Sequence, residues 1–373
     1  MGTFFVLPSE FLIGTLSDIT GRKKLIVVGY LILGASMFAM TTFSKVFPAM
    51  YLLSVLYSVS GLPAYTAPLS NDYLHYSSLG LFEGLASPVN FVSTTLTTSG
   101  TLFLQSYVSI NTLFCGYAVL MMLVSITLFF TLQDKRKPPA QTTGRSISNC
   151  STALTTIKQS LNQIREEKAI LVAMWGMASA TITNICIYQF GVPLYLLQYD
   201  ANNAQDFANA HLSKLLFMTS LVCLPFSYAV GFACDRAPGK VWLISLGFAA
   251  GTLAFCALLY ATSENMVGSF LEAGTIGSHW QSWGFMGSCF FAFMGLLANQ
   301  VLFSKAIQKS SQAYGCLKGL SCTVTTSAII VVDFWGGNLS AKSAPAPFLL
   351  CAGALAIQCL MTLVMAVCGW LKI

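Results

Sequence analysis

Long apolar stretches alternate with short polar turns along the whole chain. Eleven of these stretches approach the roughly 20 residues that a helix needs to cross a bilayer. They cover residues 3–19, 25–43, 48–69, 80–105, 111–132, 169–197, 214–234, 241–261, 283–303, 317–337 and 347–371. The pattern predicts an all-α integral membrane protein with about eleven transmembrane helices.

Composition supports a membrane protein and excludes several other classes. Charged residues make up 9% of the chain and hydrophobic residues 55%, whereas soluble domains carry about 25% charged residues. The net charge of +6 comes from a few interhelical turns, without the basic stripe and exposed aromatics of a nucleic-acid binder. The twelve cysteines are scattered, and the sequence shows no metal-ligand spacing, phosphate-binding loop or catalytic constellation. We therefore expect no enzyme, no metal, no cofactor and no nucleic-acid partner.

The basic residues are distributed unevenly between the two ends of the spans. If the turn at 21–24 lies in the cytoplasm, sixteen of the nineteen lysines and arginines lie on that side. Lysine and arginine accumulate in cytoplasmic loops. The distribution predicts a multi-pass protein with a cytoplasmic C-terminus, and leaves open whether the plasma membrane or an organelle membrane holds it.

The turn between the first two spans carries the segment GTLSDITGRKK at 14–24. A glycine is followed four residues later by an acid, and then by a strongly basic turn. This segment closely resembles the loop signature that the major facilitator superfamily carries between its second and third helices. The resemblance implies a gating role for five residues: Gly14, Asp18, Gly21, Arg22 and Lys23.

A second copy of the pattern supports the resemblance. Gly231, Asp235 and Arg236 end a later span, although the glycine after the acid comes one position late and Pro238 lies in the turn. A further echo relates 79–85 to 314–320, each of which opens a span. Two halves related by an internal repeat are expected of the facilitator fold.

The resemblance implies a division of the chain into two helical halves and a linker. Residues 1–132 correspond to family helices two to six, and 169–373 correspond to helices seven to twelve. The motif belongs after helix two but follows the first span, so helix one is missing. We expect the upstream genomic sequence to encode another apolar span, and a shortened relative is the alternative.

Residues 133–168 form the predicted cytoplasmic linker. Within it, apolar residues recur at helical spacing, which predicts a short amphipathic helix: Leu154, Ile157, Leu161 and Ile164. Two interpretations remain open. The helix either lies on the inner membrane surface or is a solvated linker.

Charged residues at the ends of spans are functional candidates, because a charge inside a bilayer is costly. Asp18 ends family helix two and Lys318 opens helix eleven. Arg236 ends helix eight and Glu83 opens helix five. Because helices two and eleven, and five and eight, are neighbours in the facilitator fold, the resemblance implies one ion pair across each contact, closing an inner gate.

The gating set extends to neighbouring charges. Asp18 is expected to face the positive end of helix eleven's dipole. Asp72 joins Arg22 within the N-terminal half, and Asp235 precedes Arg236. The alternative is that all of these are interfacial charges satisfied by water and lipid headgroups.

Glu10 is the acid that lies deepest in a span. Two interpretations remain open: a proton-titrating or substrate-facing carboxylate that serves as the coupling acid, or a hydrogen-bonded acid packed against another helix. The arginine that the family usually carries in helix four is absent from 51–69. Proton coupling through that arginine is therefore in doubt.

Polar side chains in the middle of spans are candidates for contact with a solute, although such residues serve helix–helix contacts about equally often. They are Tyr57, Tyr65, Asn90, Trp175, Asn184, Tyr188 and Gln189. We expect a monomeric secondary transporter that moves a small organic solute by alternating access, with a co-transported proton or other ion as a further partner. The alternative is a receptor or scaffold that kept the fold and lost transport.

Overall fold

The computed structural model shows apolar helices joined by short turns. It describes residues 2–42, 46–63, 72–86, 108–133, 149–196, 204–265, 280–310 and 314–371. Within these residues the secondary structure is helical and includes no strand. The predicted all-α fold is confirmed.

Twelve helices of eight or more residues organise the described part of the chain, and we number them in chain order. They are α1 (Gly2–Thr20), α2 (Arg22–Met40), α3 (Tyr51–Ser60), α4 (79–86), α5 (Ile110–Thr131), α6 (Asn149–Glu166), α7 (Lys168–Leu196), α8 (Ala204–Arg236), α9 (Val241–Asn265), α10 (Trp280–Ser310), α11 (Tyr314–Val331) and α12 (Pro347–Val367). Single turns of tighter 3₁₀-helix at Tyr76–Ser78 and Pro238–Lys240 precede α4 and α9. Wider π-helical turns at Val46–Met50 and Val332–Gly336 precede α3 and extend α11.

Most predicted spans coincide with these helices. In the described part of the chain, eight helices are long and apolar enough to cross a membrane: α2, α5 and α7 to α12. The predicted span at 3–19 coincides with the 19-residue α1. The structure describes only part of the spans predicted at 48–69 and 80–105, which hold α3 and α4.

The end of α10 differs from the prediction. The apolar stretch was expected to stop at residue 303, but the helix continues to Ser310. Lys305 therefore lies inside the helix and is fully buried. A buried cation can be tolerated here only because partners satisfy its charge.

The chain divides into two compact units, which we describe separately. The first contains Met1–His75, Thr98–Glu166 and Ile307–Thr326. In its interior α2 packs on α5, where the Ser125 hydroxyl donates to the Val27 carbonyl at 2.8 Å. Gly34 lies against the backbone of Ala118, so α2 and α5 approach closely.

The second unit contains Tyr76–Thr97, Glu167–Ala306 and Ser327–Ile373. Its interior holds a buried polar network that joins four helices. The hydroxyl of Ser179 on α7 donates to Gln358 Oε1 on α12 at 2.5 Å, and that of Ser245 on α9 donates to Asn299 Oδ1 on α10 at 2.8 Å. Because each buried polar atom named here has a partner, the network fixes the helix register without an unsatisfied group.

The linker segment predicted to be helical forms α6. Its Ser160 and Gln163 are buried, whereas Leu154 and Leu161 are exposed. The Ser160 hydroxyl donates to the Thr156 carbonyl within α6 at 3.0 Å, and α6 packs against α1. The polar face of α6 therefore packs on the protein and the leucines point away, and the placement of those leucines on the membrane surface stays a prediction.

Candidate functional site

Two glycine-lined helix contacts form the candidate site, one in each unit. We call the first the α1–α11 seam: Glu10, Gly14 and Asp18 of α1 against Gly315 and Gly319 of α11. Residues four apart share one face of a helix, so both glycine rows face the partner. A side chain at Gly319 would lie 2.6 Å from the Glu10 carbonyl oxygen, and one at Gly14 would overlap the Gly315 carbonyl. Small residues thus allow the two backbones to touch.

The carboxylate of Asp18 closes one end of this seam. It accepts hydrogen bonds from the backbone N–H groups of Gly315 and Cys316, both at 2.9 Å. These amides belong to the first turn of α11 and have no partner inside that helix. The acid therefore caps α11 and interacts with the positive end of its dipole.

The same carboxylate is linked to a buried arginine. The Arg22 guanidinium lies 3.6 Å from Asp18 and contacts Asp72 directly. Arg22 is only 2% exposed, so the arginine bridges two acids in a setting with little water. Lys23, the next motif residue, lies over the Phe129 ring at 5.2 Å.

The second contact, the α4–α8 seam, has the same design. It consists of Gly80 and Gly84 of α4 against Ser227, Gly231 and Asp235 of α8. A side chain at Gly84 would lie 2.7 Å from the Ser227 carbonyl oxygen. Asp235 accepts the backbone N–H groups of Gly80 at 2.9 Å and Leu81 at 2.7 Å. The acid, the two amides and the glycine spacing all match the first seam.

The cation of the second seam comes from a different helix. Lys305 of α10 lies 2.9 Å from Asp235 and donates to the Cys234 carbonyl at 2.9 Å. Its ammonium also lies 5.1 Å from the centre of the Tyr76 ring. Burial raises the pKa of Tyr76, and the Glu167 carboxylate adds to this shift. Tyr76 therefore remains a neutral phenol whose ring face attracts the cation.

The two turns after the acids differ in backbone conformation. Gly21 has φ 90° between α1 and α2, a conformation that only glycine adopts at low cost. The corresponding chain after Asp235 makes the single turn Pro238–Lys240. Among the described glycines only Gly21 and Gly369 have positive φ, so the late glycine of the second copy, Gly239, has no such role.

The ion pairs predicted from sequence stay predictions. Asp235 joins α8 to α4 through the Gly80 backbone N–H, while the Arg236 guanidinium lies 4.8 Å from the centre of the Phe232 ring. The pairing of Arg236 with Glu83 and that of Lys318 with Asp18 both remain implied by the resemblance.

The predicted coupling acid lies in the first seam. Glu10 is 5% exposed, and the Thr326 hydroxyl donates to its Oε1 at 2.6 Å. The structure thus places this carboxyl against α11, four residues before Gly14 on the same face of α1.

The predicted solute contacts have different surroundings. The Trp175 indole donates to the Ala354 carbonyl at 3.1 Å and so joins α7 to α12. Gln189 donates to Asp333 at 2.9 Å in an exposed position. Tyr57 and Tyr188 are 40% and 44% exposed, and Asn184 is half-buried. Tyr65 and Asn90 lie outside the described residues.

Sequence reasoning missed three residues of the site. Lys305 was assigned to a loop because the apolar stretch appeared to end before it. Tyr76 and Thr326 carry no signal of their own, being one aromatic in a turn and one hydroxyl in a span. The four-residue spacing of Gly80 with Gly84 was visible, and such spacing is typical of close helix packing.

The sequence also matches a family model. The model of the Major Facilitator Superfamily covers residues 1–331. The chain belongs to the major facilitator superfamily. It is therefore a multi-pass integral membrane protein of a transporter family, as the motif and its second copy predicted.

Solved structures support the fold. The crystal structure of FucP, a superfamily transporter in the outward conformation, aligns with TM-score 0.66 and 16% identity over 97% of this chain and 88% of that chain. The human organic anion transporter MFSD10 (TETRAN) aligns with TM-score 0.60 and 13% identity over 97% and 82%. At these identities the likeness concerns the fold alone. A search among curated proteins finds no match.

Proposed function

We propose that this protein is a secondary transporter of a small organic solute and that its two seams are the inner gate of an alternating-access cycle. The observation that carries the proposal is the pair of matching seams. Each places a carboxylate on two free amides of a partner helix across touching glycines. The distribution of lysine and arginine supports a cytoplasmic location for the Asp18 end of the first seam and the Asp235 end of the second.

The seams have the chemistry of a reversible contact. Glycine rows offer no interlocking side chains, so the helices are able to separate without repacking a core. What holds them is a few hydrogen bonds to a charged group, each of which contributes about 1.5–3 kcal/mol. Because these bonds exist only while the helices touch, they stabilise one conformer and not the other. Rocking of 1–132 against 169–373 about a midplane site would make and break them.

The solute site is proposed among neutral polar groups. Asn184, Tyr188 and Gln189 lie along α7. Hydroxyl and amide groups are suited to hydrogen-bonding a polar organic solute, as in other sites where few polar groups set orientation. Trp175 is left out of this set because its N–H already serves a helix contact.

Solute uptake into proteoliposomes tests the proposal. A panel of labelled organic solutes is compared between the parent and a Thr15→Cys variant, in which the new thiol is placed beside native Cys316. We expect uptake of at least one solute by both proteins when reduced. Oxidation to a disulfide across the α1–α11 seam should stop uptake by the variant only, and dithiothreitol should restore it.

Two outcomes would count against the proposal. Undiminished uptake by the cross-linked variant would show that the seam does not open during transport. No uptake of any solute by the reduced parent would favour the receptor or scaffold that kept the fold without transport.

A further inference from the structure

Glu10 occupies a place in the seam that the gate itself does not require. It lies four residues before Gly14 and eight before Asp18, so all three share one face of α1. Facing it on α11 are Gly319 and, one to two turns further on, Thr323 and Thr326. The Thr323 hydroxyl lies 3.4 Å from the Leu7 carbonyl, so the close approach of the two helices continues past Glu10.

The carboxyl of Glu10 is poorly supported as an anion. Oε1 accepts one hydrogen bond from Thr326. Oε2 is buried and has no hydrogen-bond partner among the described residues. Arg22 and Lys305 pair with Asp18, Asp72 and Asp235, and Glu10 takes part in no ion pair among the described residues. A buried carboxylate with one hydroxyl donor and one dry oxygen is costly, and the neutral acid is not.

Other titratable or charged groups lie on the elements packed against α1. They are Tyr314, Cys316, Lys318 and Cys322 of α11, Tyr51 and Tyr57 of α3, Arg22, Lys23, Lys24 and Tyr30 of α2, and Lys158, Arg165 and Glu166 of α6. None of them forms an ion pair with Glu10 among the described residues. Glu10 and Asp18 are the two carboxyl groups of the seam itself.

We propose that Glu10 is a proton-binding site which closes the α1–α11 seam when it is occupied. A proton from water binds the carboxylate while the helices are apart, and the neutral acid then fits between α1 and α11. Separation of the helices lets water reach the carboxyl, which releases the proton again. The inference rests on the proposed gate and names the proton as its coupling ion.

The native thiol of Cys316 reports on the opening of the seam, so no cysteine needs to be introduced. It follows Gly315 in the seam, and its side chain is fully buried. Cys368 is exposed and serves as the reference for reagent and pH. The purified full chain is treated with N-ethylmaleimide, and mass spectrometry measures how far each thiol is alkylated. The ratio of alkylation at Cys316 to that at Cys368 is determined from about pH 5 to about pH 8.

In the parent we expect this ratio to rise by about tenfold with pH, since each proton released in opening changes the equilibrium by up to tenfold per pH unit. Glu10→Gln keeps the hydrogen bond to Thr326 but never ionises, so its ratio should stay low and flat. His75 lies in the same compact unit, and the Glu10→Gln variant retains any contribution from it.

The outcomes separate the proton site from the gate. Parallel pH profiles for the parent and Glu10→Gln would overturn the proton site. Asp18→Asn should raise the Cys316/Cys368 ratio at every pH. If Asp18→Asn leaves the ratio unchanged while Glu10→Gln behaves as expected, the result counts against the gate and not against the proton site. Should Glu10→Gln not fold, Thr326→Val replaces it. Loss of the hydroxyl donor, which supports the ionised form more than the neutral one, should move the midpoint of the parent's profile to higher pH, and an unmoved midpoint would contradict the proposal.

Discussion

The α1–α11 seam and the α4–α8 seam make the same contact with differently supplied charges. In both, an acid four residues after a glycine accepts two backbone N–H groups at the start of a helix that carries two further glycines. In the first, the cation is Arg22, four residues beyond the acid and shared with Asp72. In the second, the cation is Lys305, which α10 supplies. The contact between backbone and carboxylate is thus the constant part of the design, and the cation is the variable part.

The largest effect should follow from removing the lone cation of the second seam. Lys305→Met would leave Asp235, whose side chain is 11% exposed, without its ion-pair partner, and breaking a buried pair costs about 3–5 kcal/mol. Thermal unfolding in detergent measures the loss. Lys240→Met removes an exposed cation from the adjoining turn and is the matched control, with an expected change near zero. Equal melting of the two variants would show that the pair contributes nothing.

Neutralising the acid of each seam should lower the unfolding temperature by different amounts in the two seams. Asp18→Asn loses charge-assisted bonds of about 1.5–3 kcal/mol each, but Arg22 keeps Asp72. Asp235→Asn leaves Lys305 with the Cys234 carbonyl and the Tyr76 ring. We therefore expect Asp235→Asn to unfold at a lower temperature than Asp18→Asn. The reverse order would mean that the shared arginine matters more than the lone lysine.

The glycines should behave alike in the two seams. Gly14→Ala and Gly231→Ala each place a methyl group against the partner backbone, and such overpacking costs roughly 1–3 kcal/mol. Gly116→Ala is the control, because nothing lies within 4 Å of its added carbon. Unfolding temperatures that fall for the first two and hold for the third would support the close helix approach. A tolerated Gly14→Ala would contradict it.

The smallest effect is expected at Lys318. This residue is half-exposed, and partly solvated ion pairs contribute about 0–1 kcal/mol. Lys318→Ala should therefore change the Cys316/Cys368 alkylation ratio by less than about fivefold. If Lys318→Ala changes this ratio as much as Asp18→Asn does, the predicted ion pair between Lys318 and Asp18 is the main interaction that closes the seam.

The sequence predicted the parts of this protein that depend on residue type and spacing. The helix bounds of α1, the break between α1 and α2 at Gly21 and the repeat at Asp235 follow from apolar periodicity and from side chains with distinctive chemistry. Partners that are backbone atoms, such as the amides that bind Asp18 and Asp235, could not be predicted in this way. Lys305 was missed for a related reason: a helix stabilised by tertiary contacts extends past the end of its apolar stretch.

Alkylation of Cys316 at fixed pH tests the central claim most directly, since its backbone N–H and its side chain both lie in the α1–α11 seam. The parent and Asp18→Asn are treated with N-ethylmaleimide, and the Cys316/Cys368 ratio is measured for each. If the Asp18 carboxylate holds α1 against α11, the ratio should be at least about tenfold higher in Asp18→Asn, because each lost bond contributes about 1.5–3 kcal/mol and about 1.4 kcal/mol is a factor of ten. Equal ratios in the two proteins would contradict the claim that this contact is a gate.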